Sequence, residues 1–253
     1  MPPFPDAPPP YRSIAFDADS TLSALEGIDE LAGPLRQEIE ELTRRAMRGE
    51  LPLEAVYGQR LARIRPSRAA VEALGARYVE RIVPGARELV AALRFLGKRV
   101  AIVSGGIRPA LLALGRELGL PEQAVHGVEL DFDAAGAYAG FDPSAPLARS
   151  GGKREIVERL AREPGALPLA LVGDGITDLE AAGDGAAARF VAFGGVVRRA
   201  EVFARAAVRC ERPDLAALLP LLLSEREISI LGRSREHQGL LARARDPSPP
   251  SVS

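Results

Sequence analysis

Residues 12–21 read RSIAFDADST, a short apolar run that ends at two aspartates. The run predicts a buried strand, and the polar residues after it predict a loop at the carboxyl end of that strand. In open α/β sheets, ligands bind beyond the carboxyl ends of the strands. Asp17 and Asp19 are two residues apart, so on an extended segment they project to the same side. This stretch therefore predicts the first strand of a sheet and one part of a site.

Farther along the chain, apolar runs alternate with amphipathic stretches. The predicted strands are RVAIVSGG, PLALVGDG, ARFVAFGG and AAVRC, and the predicted helices are ARELVAALRFLG, RPALLALGRELG, RRAEVFARA and PDLAALLPLLL. This alternation is typical of a parallel sheet with helices on both faces. VELDFDAAGAYAGF, with period-two apolar spacing, predicts a hairpin. We therefore predict an α/β fold with a doubly wound, Rossmann-like parallel sheet.

Residues 22–82 follow a different pattern, because their apolar residues are three and four apart with charges between them. This is helical periodicity. We expect a helical cap at 22–82, inserted after the first strand of an α/β core at 12–21 and 83–223. A Pro-rich leader is expected at 1–11, and a C-terminal tail at 224–253, weakly helical and then disordered.

Composition narrows the class of protein. The chain has 253 residues, 47% of them hydrophobic and 26% charged, with a formal net charge of -1. This charge gives no electrostatic reason to expect nucleic acid or an anionic membrane as a partner. A single cysteine, Cys210, excludes an intrachain disulfide and fits a reducing compartment. The first ten residues lack the pattern of a secretory signal. We expect a cytoplasmic protein, with the oligomeric state open and a homodimer among the options.

Polar residues follow three of the predicted strands and one glycine-rich turn. These are DADST at 17–21, SGG at 104–106, GDGITD at 173–178, and Lys153 after SGG at 150–152. Converging carboxylates need a cation, and oxygen ligands of this kind suit Mg²⁺. A hydroxyl and backbone N–H groups can hold phosphate oxygens, and a lysine can stabilise a transferring phosphoryl group. One aspartate can attack phosphorus while the other handles protons.

Each motif alone has an ordinary structural explanation. An Asp-x-Asp pair is often a solvated turn, and Asp174 and Asp178 could be a helix N-cap and a first-turn acid. Lys153 could be a surface charge, although only two of the 33 basic residues are lysines. A nucleotide-binding P-loop is excluded because Arg154 follows Lys153 where Ser or Thr is required. The shared topological position of all four motifs favours one phosphate site with a metal.

The order Asp-x-Asp-Ser-Thr, Ser-Gly-Gly, Lys and Gly-Asp-Gly-x-x-Asp resembles the haloacid dehalogenase superfamily, and the helical insertion resembles its small-cap branch. FDADSTLSALEGIDELAG, IVSGGIRP, GAYAGFDPSAPLARSGGKREIV, VGDGITDLEA and FVAFGGVVRRAEV are similar to the phosphoserine phosphatase family within it. The resemblance covers roughly residues 12–223. It implies Mg²⁺-dependent hydrolysis of O-phospho-L-serine to L-serine and phosphate, the last step of serine biosynthesis.

The resemblance also implies roles for the motif residues. Asp17 is the nucleophile that forms an aspartyl-phosphate, and Asp19 is the general acid and base. Ser104 and Lys153 bind the phosphoryl oxygens. The implied metal ligands are Asp17 and Asp174 through side chains and Asp19 through its backbone carbonyl, with Asp178 supporting the site from close by.

Two cap residues match the positions that recognise the remote end of the substrate. Glu26 is implied for the ammonium group and Arg60 for the carboxylate, which a guanidinium can bind with two hydrogen bonds. Further implied substrate contacts are Met47, Gly105, Gly106 and Thr177, beside Ser104 and Lys153. The family often has an aromatic residue where this chain has Leu53, so the apolar wall there is expected to be smaller.

Other functions stay open at this point. A phosphotransferase could pass the phosphoryl group from the same aspartate to another small alcohol, such as homoserine, and a broader phosphatase could accept several small phosphomonoesters. A non-catalytic binding protein is disfavoured, because it could have lost Asp17, Asp19 or Lys153 without penalty.

Overall fold

The computed structural model describes residues 9–47 and 53–246. Its strands are β1 (Ser13–Phe16), β2 (Arg99–Ile107), β3 (Val125–Val128), β4 (Asp131–Phe132), β5 (Tyr138–Gly140), β6 (Leu169–Gly173), β7 (Arg189–Phe193) and β8 (Val208–Cys210). Its α-helices are α1 (Gly27–Ala32), α2 (Arg36–Met47), α3 (Leu53–Ile64), α4 (Arg68–Glu80), α5 (Ala86–Phe95), α6 (Arg108–Glu117), α7 (Gly152–Ala161), α8 (Ile176–Ala181), α9 (Ala200–Arg205), α10 (Leu219–Leu222), α11 (Glu225–Gly232) and α12 (Gln238–Arg245). Most of the predicted leader and the predicted disordered end lie outside the described residues.

The main sheet of the described residues has six parallel strands in the order β3-β2-β1-β6-β7-β8. Phe16 at the end of β1 pairs in register with Ile102 on β2 and Val172 on β6. The strand order reverses between β1 and β6, which is the kind of switch point where open α/β sheets bind ligands. The predicted parallel α/β sheet is confirmed, and its carboxyl edge brings the three polar motifs together.

Side chains alternate across the sheet, as the two-residue period of a strand requires. Ile14 and Phe16 are buried against α5 and α6 on one face. Ala15 faces the opposite core, which contains residues of α7, α8 and α9. Helices therefore cover both faces, and the doubly wound arrangement is confirmed.

Four helices, α1 to α4, fill the stretch expected to form the cap. The last of them, α4, packs closely on core helix α6, where a side chain at Gly75 would lie 3.0 Å from the Ala113 Cβ. The segments that enter and leave this stretch lie next to each other. The backbone N–H of Val83 donates to the Leu22 carbonyl, and that of Ala24 donates to the Arg81 carbonyl. The boundaries of the cap at 22–82 remain a prediction.

Two elements differ from the sequence prediction. Edge strand β3 was not predicted, because its VHGV sequence has a histidine and a glycine where a strand usually has larger apolar residues. The predicted helix at 213–223 divides into a 3₁₀ turn, Leu215–Leu218, and the short α10. Pro220 lies in the first turn of α10, where its missing N–H costs no helical hydrogen bond.

The C-terminal tail joins the core rather than extending from it. Leu231 on α11 and Leu240 and Leu241 on α12 are buried in the same cluster as the sheet residues. Within residues 9–47 and 53–246, no helix combines the length and apolar character that a membrane span requires.

Candidate active site

The first motif forms a tight turn at the end of β1. The backbone N–H of Ala18 donates to the Asp17 carboxylate at 2.8 Å. The N–H groups of Leu22 and Ser23 both reach the Ala18 carbonyl at 3.0 Å. Ser20 has φ 53°, a left-handed conformation that a non-glycine residue adopts at an energetic cost and often at a functional site. The turn keeps the carboxylates of Asp17 and Asp19 at the edge of the sheet.

Lys153 reaches this turn from the first residues of α7. A Cβ on Gly152 would lie 1.5 Å from the Pro146 carbonyl oxygen, so only glycine fits before the lysine. The buried Lys153 Nζ is 3.1 Å from the Asp17 Oδ2 and 2.7 Å from the Asp178 Oδ1. Burial alone would lower the pKa of the ammonium group, but Asp17 and Asp178 outweigh it and the pKa rises. Lys153 is therefore a permanent positive charge beside Asp17.

Three buried carboxylates meet where β1 and β6 end. Asp17, Asp174 and Asp178 each offer an oxygen within 4.8 Å of the others. Burial and then the charge of Asp17 raise the pKa of Asp174 to about 6. Burial and Asp17 also raise the pKa of Asp178, although Lys153 opposes the shift. Burial and mutual repulsion thus disfavour the ionised forms of these carboxyl groups, and their oxygen donors fit a hard divalent cation.

Ser104 lies near the end of β2 and is buried. Its hydroxyl oxygen accepts the Gly106 N–H at 3.1 Å. A Cβ on Gly106 would lie 3.3 Å from that hydroxyl and 3.2 Å from the Tyr78 hydroxyl, which is closer than most side chains pack. The glycines after Ser104 thus leave room for other groups around its hydroxyl.

Asp19 accepts a hydrogen bond from a residue that the sequence analysis did not identify. The hydroxyl of the fully buried Tyr78, on α4, donates to the Asp19 Oδ1 at 2.5 Å. Burial raises the pKa of Asp19, and the charges of Glu26 and Asp17 raise it further. Burial and Asp19 likewise raise the pKa of Tyr78, so the phenol remains a hydrogen-bond donor.

A second unpredicted residue, Arg199, connects the core and the cap. Its Nε donates to the Asp174 Oδ2 at 2.7 Å, and its Nη2 to the Glu26 Oε1 at 2.9 Å. Ser20 also donates to the Glu26 Oε1, at 2.7 Å. Asp174 therefore already has a cationic partner, and a divalent ion that binds there has to compete with this guanidinium.

The remaining predicted residues are less closely joined to the site. Arg60 on α3 forms a short ion pair with Asp29, which is not a member of the carboxylate cluster. Thr177, in the first turn of α8, is half-buried. Met47 ends α2, but its side chain lies outside the described residues, as does that of Leu53.

The structure thus brings Asp17, Asp174, Asp178 and Lys153 into one cluster, with Asp19 beside it and Glu26 tied to it through Arg199. Arg199 could have been suspected, because several buried carboxylates need more than one cation. Tyr78 could not, because a tyrosine in an amphipathic helix usually belongs to the core.

The fold and the site define a hydrolase of the haloacid dehalogenase class. The model of the haloacid dehalogenase-like hydrolase family matches residues 14–183, from β1 through the carboxylate cluster. The phosphoserine phosphatase of Bos taurus is 40% identical over 192 residues, which is 75% of this chain and 84% of the relative. Within the class, the chain therefore belongs to the phosphoserine phosphatase family.

Solved structures agree with this assignment. A substrate-bound phosphoserine phosphatase complex has a TM-score of 0.71 at 26% identity, over 85% of this chain and 100% of that one. A phospho-aspartyl intermediate analogue of phosphoserine phosphatase has a TM-score of 0.68 at 27% identity, over 84% of this chain and 99% of that one. The family and fold expected from the sequence motifs are confirmed.

Proposed function

We propose that the chain hydrolyses O-phospho-L-serine to L-serine and phosphate, with Asp17 as the nucleophile and Mg²⁺ as the cofactor. The observation that carries the proposal is the contact of the buried Lys153 with Asp17, beside a cluster of carboxylates. A family relationship at 40% identity supports phosphoserine as the substrate. The reaction would be the last step of serine biosynthesis, in the cytoplasm, where a lone thiol stays reduced.

In the first step, an Asp17 oxygen attacks phosphorus and the bond from phosphorus to the serine oxygen breaks. Asp19 gives its proton to the departing oxygen. Its raised pKa favours the protonated acid that this step needs. Lys153 and Ser104 hold the phosphoryl oxygens, and the positive charge of Lys153 stabilises the charge that develops on them.

In the second step, water attacks the aspartyl-phosphate. Asp19, now ionised, accepts a proton from the water, and the bond between phosphorus and the Asp17 oxygen breaks. The products are phosphate and a free Asp17 carboxylate, so both side chains return to their starting states. Mg²⁺ held by Asp17, Asp174 and the Asp19 carbonyl, with Asp178 close by, would offset the negative charge of the phosphoryl group.

The remote end of the substrate carries an ammonium and a carboxylate. Glu26 is the proposed partner of the ammonium and Arg60 that of the carboxylate, because their charges are complementary. Both are engaged in ion pairs in this structure, with Arg199 and Asp29. Substrate binding therefore exchanges these pairs for contacts with the ligand. Met47, Gly105, Gly106 and Thr177 are proposed as further contacts.

The proposal is tested by phosphate release with Mg²⁺ from L-phosphoserine, phosphothreonine, phosphohomoserine and sugar phosphates. We expect a strong preference for L-phosphoserine and loss of activity in EDTA. Adding homoserine as an acceptor distinguishes hydrolysis from phosphotransfer, since only a phosphotransferase forms phosphohomoserine.

The nucleophile is tested with Asp17→Asn, which should lower kcat on the order of a thousandfold or more. Asp19→Asn should also lower kcat strongly, because both steps need its carboxyl group, as the acid of the first and the base of the second. Asp131→Asn, on the exposed strand β4, is the matched control and should leave kcat unchanged. An Asp17→Asn variant with the activity of this control would refute the mechanism.

A further inference from the structure

Tyr57 on α3 has a buried hydroxyl group without a partner. Its ring meets that of Phe141 edge to face, with centroids 5.4 Å apart at 64°. Among the residues that the structure describes, no group lies within hydrogen-bonding reach of the hydroxyl oxygen. A buried polar group left unpaired costs about 1–3 kcal/mol, so such a group in a native protein needs an explanation.

Titratable groups near this hydroxyl shift its pKa. Burial raises the pKa of Tyr57, the charge of Asp19 raises it further, and the charge of Arg60 lowers it. Tyr57 is therefore close enough to feel both the proposed acid/base residue and the proposed partner of the substrate carboxylate.

Arg60 also has a buried hydrogen-bond donor without a partner. Its Nη2 binds Asp29, but its buried Nε has no partner among the described residues. Tyr57 and Arg60 are three residues apart on α3, so they share one face of the helix. Two buried donors on one face thus lack an acceptor. Asp19 does not supply it, since neither the Tyr57 hydroxyl nor the Arg60 Nε has a hydrogen-bond partner among the described residues.

We propose that Tyr57 determines specificity for the carboxylate of the substrate, donating its hydroxyl hydrogen to one carboxylate oxygen while the Arg60 Nε donates to the other. A carboxylate has about four acceptor positions on its two oxygens, so it satisfies both donors at once. This inference rests on the proposed function, since it assumes an amino-acid phosphate as substrate. It adds a neutral hydrogen-bond donor to the charge pairing of Arg60.

Tyr57→Phe tests the inference, because it removes the hydroxyl and keeps the ring against Phe141. The assay compares phosphoserine with phosphoethanolamine, which has the same phosphate and ammonium groups but no carboxylate. We expect kcat/KM to fall about tenfold for phosphoserine, the loss for one hydrogen bond to a charged group, and to stay unchanged for phosphoethanolamine. The matched control is Tyr138→Phe, whose ring lies under Arg65 at 5.7 Å; it should change neither value.

An equal loss for both substrates, or no loss for phosphoserine, would overturn the role of Tyr57. Either result would leave the proposed function intact, provided that the wild-type protein prefers phosphoserine. A wild-type protein that does not hydrolyse phosphoserine would instead refute the proposed function, and the inference with it. The wild-type protein therefore tests the proposed function, and Tyr57→Phe tests the role of Tyr57, in the same assay.

Discussion

Lys98→Met should destabilise the fold at the edge of the sheet opposite the candidate site. The Lys98 Nζ donates to the Tyr11 carbonyl at 2.7 Å and to the Glu227 Oε1 at 2.5 Å. The two charged side chains are only 3% and 17% exposed. Removing one partner of a buried ion pair costs about 3–5 kcal/mol, because the other charge stays buried without compensation.

We expect a loss near the lower limit, about 3 kcal/mol, because Glu227 keeps its hydrogen bonds from Ser224. For a chain of this size, that loss lowers Tm by roughly 6–12 °C. Thermal and urea unfolding of the full chain measure it. Arg116→Ala is the control, because its pair with Glu122 is exposed and 3.9 Å long, and we expect no measurable change in Tm. A Lys98→Met variant as stable as this control would refute the reasoning.

The pH dependence gives a second check. Burial raises the pKa of Glu227, but the hydrogen bonds from Lys98 and Ser224 outweigh it, and the pKa falls below its ordinary 4.5. A carboxylate with a lowered pKa stabilises the folded state at pH values above 4.5, and this stabilisation is lost as the pH falls through the folded pKa. The difference between Lys98→Met and wild type should therefore shrink in acid. In Lys98→Met/Glu227→Met, most of the lost stability should return.

Three further predictions concern the site. Arg199→Gln removes the guanidinium group that competes with a cation for Asp174. Calorimetric titration should therefore give about tenfold tighter Mg²⁺ binding, and an unchanged affinity would contradict this. Tyr78→Phe removes the hydrogen bond that orients the carboxylate of Asp19. The value of kcat should therefore fall about tenfold or more with little change in KM. A changed KM at constant kcat would show that Tyr78 does not orient Asp19. Gly152→Ala should lower both activity and Tm, because the added Cβ meets the Pro146 carbonyl oxygen. Gly239→Ala is the control: its Cβ would meet open space, so the free energy of unfolding should rise by about 0.5 kcal/mol.

The sheet and the carboxylate cluster could be predicted because their signals are local. An apolar run that ends in polar residues identifies both a buried strand and its carboxyl end. Parallel strands then place all such ends at one edge. This reasoning placed Asp17, Ser104 and Asp174 at one edge without any knowledge of distances, and Lys153 was added from the glycine-rich turn before it.

Residues that act through tertiary contacts left no such signal. Tyr78 and Asp19 are 59 residues apart, and Arg199 and Glu26 are 173 apart. Their pairing depends on how α4 packs against the core and on how the chain after β7 returns to the site. The same holds for the tail, since its leucines could equally have belonged to an isolated amphipathic helix.

The use of lysine has a practical consequence for chemical labelling. Lys98 and Lys153 are the two lysines of the chain, and both are buried in ion pairs. Cationic side chains on the surface are therefore guanidinium groups, which stay protonated in alkaline solution and do not react with amine-directed reagents. Acylation of a lysine side chain consequently requires the protein to open, so modification at Lys153 reports opening of the site and modification at Lys98 reports detachment of the tail.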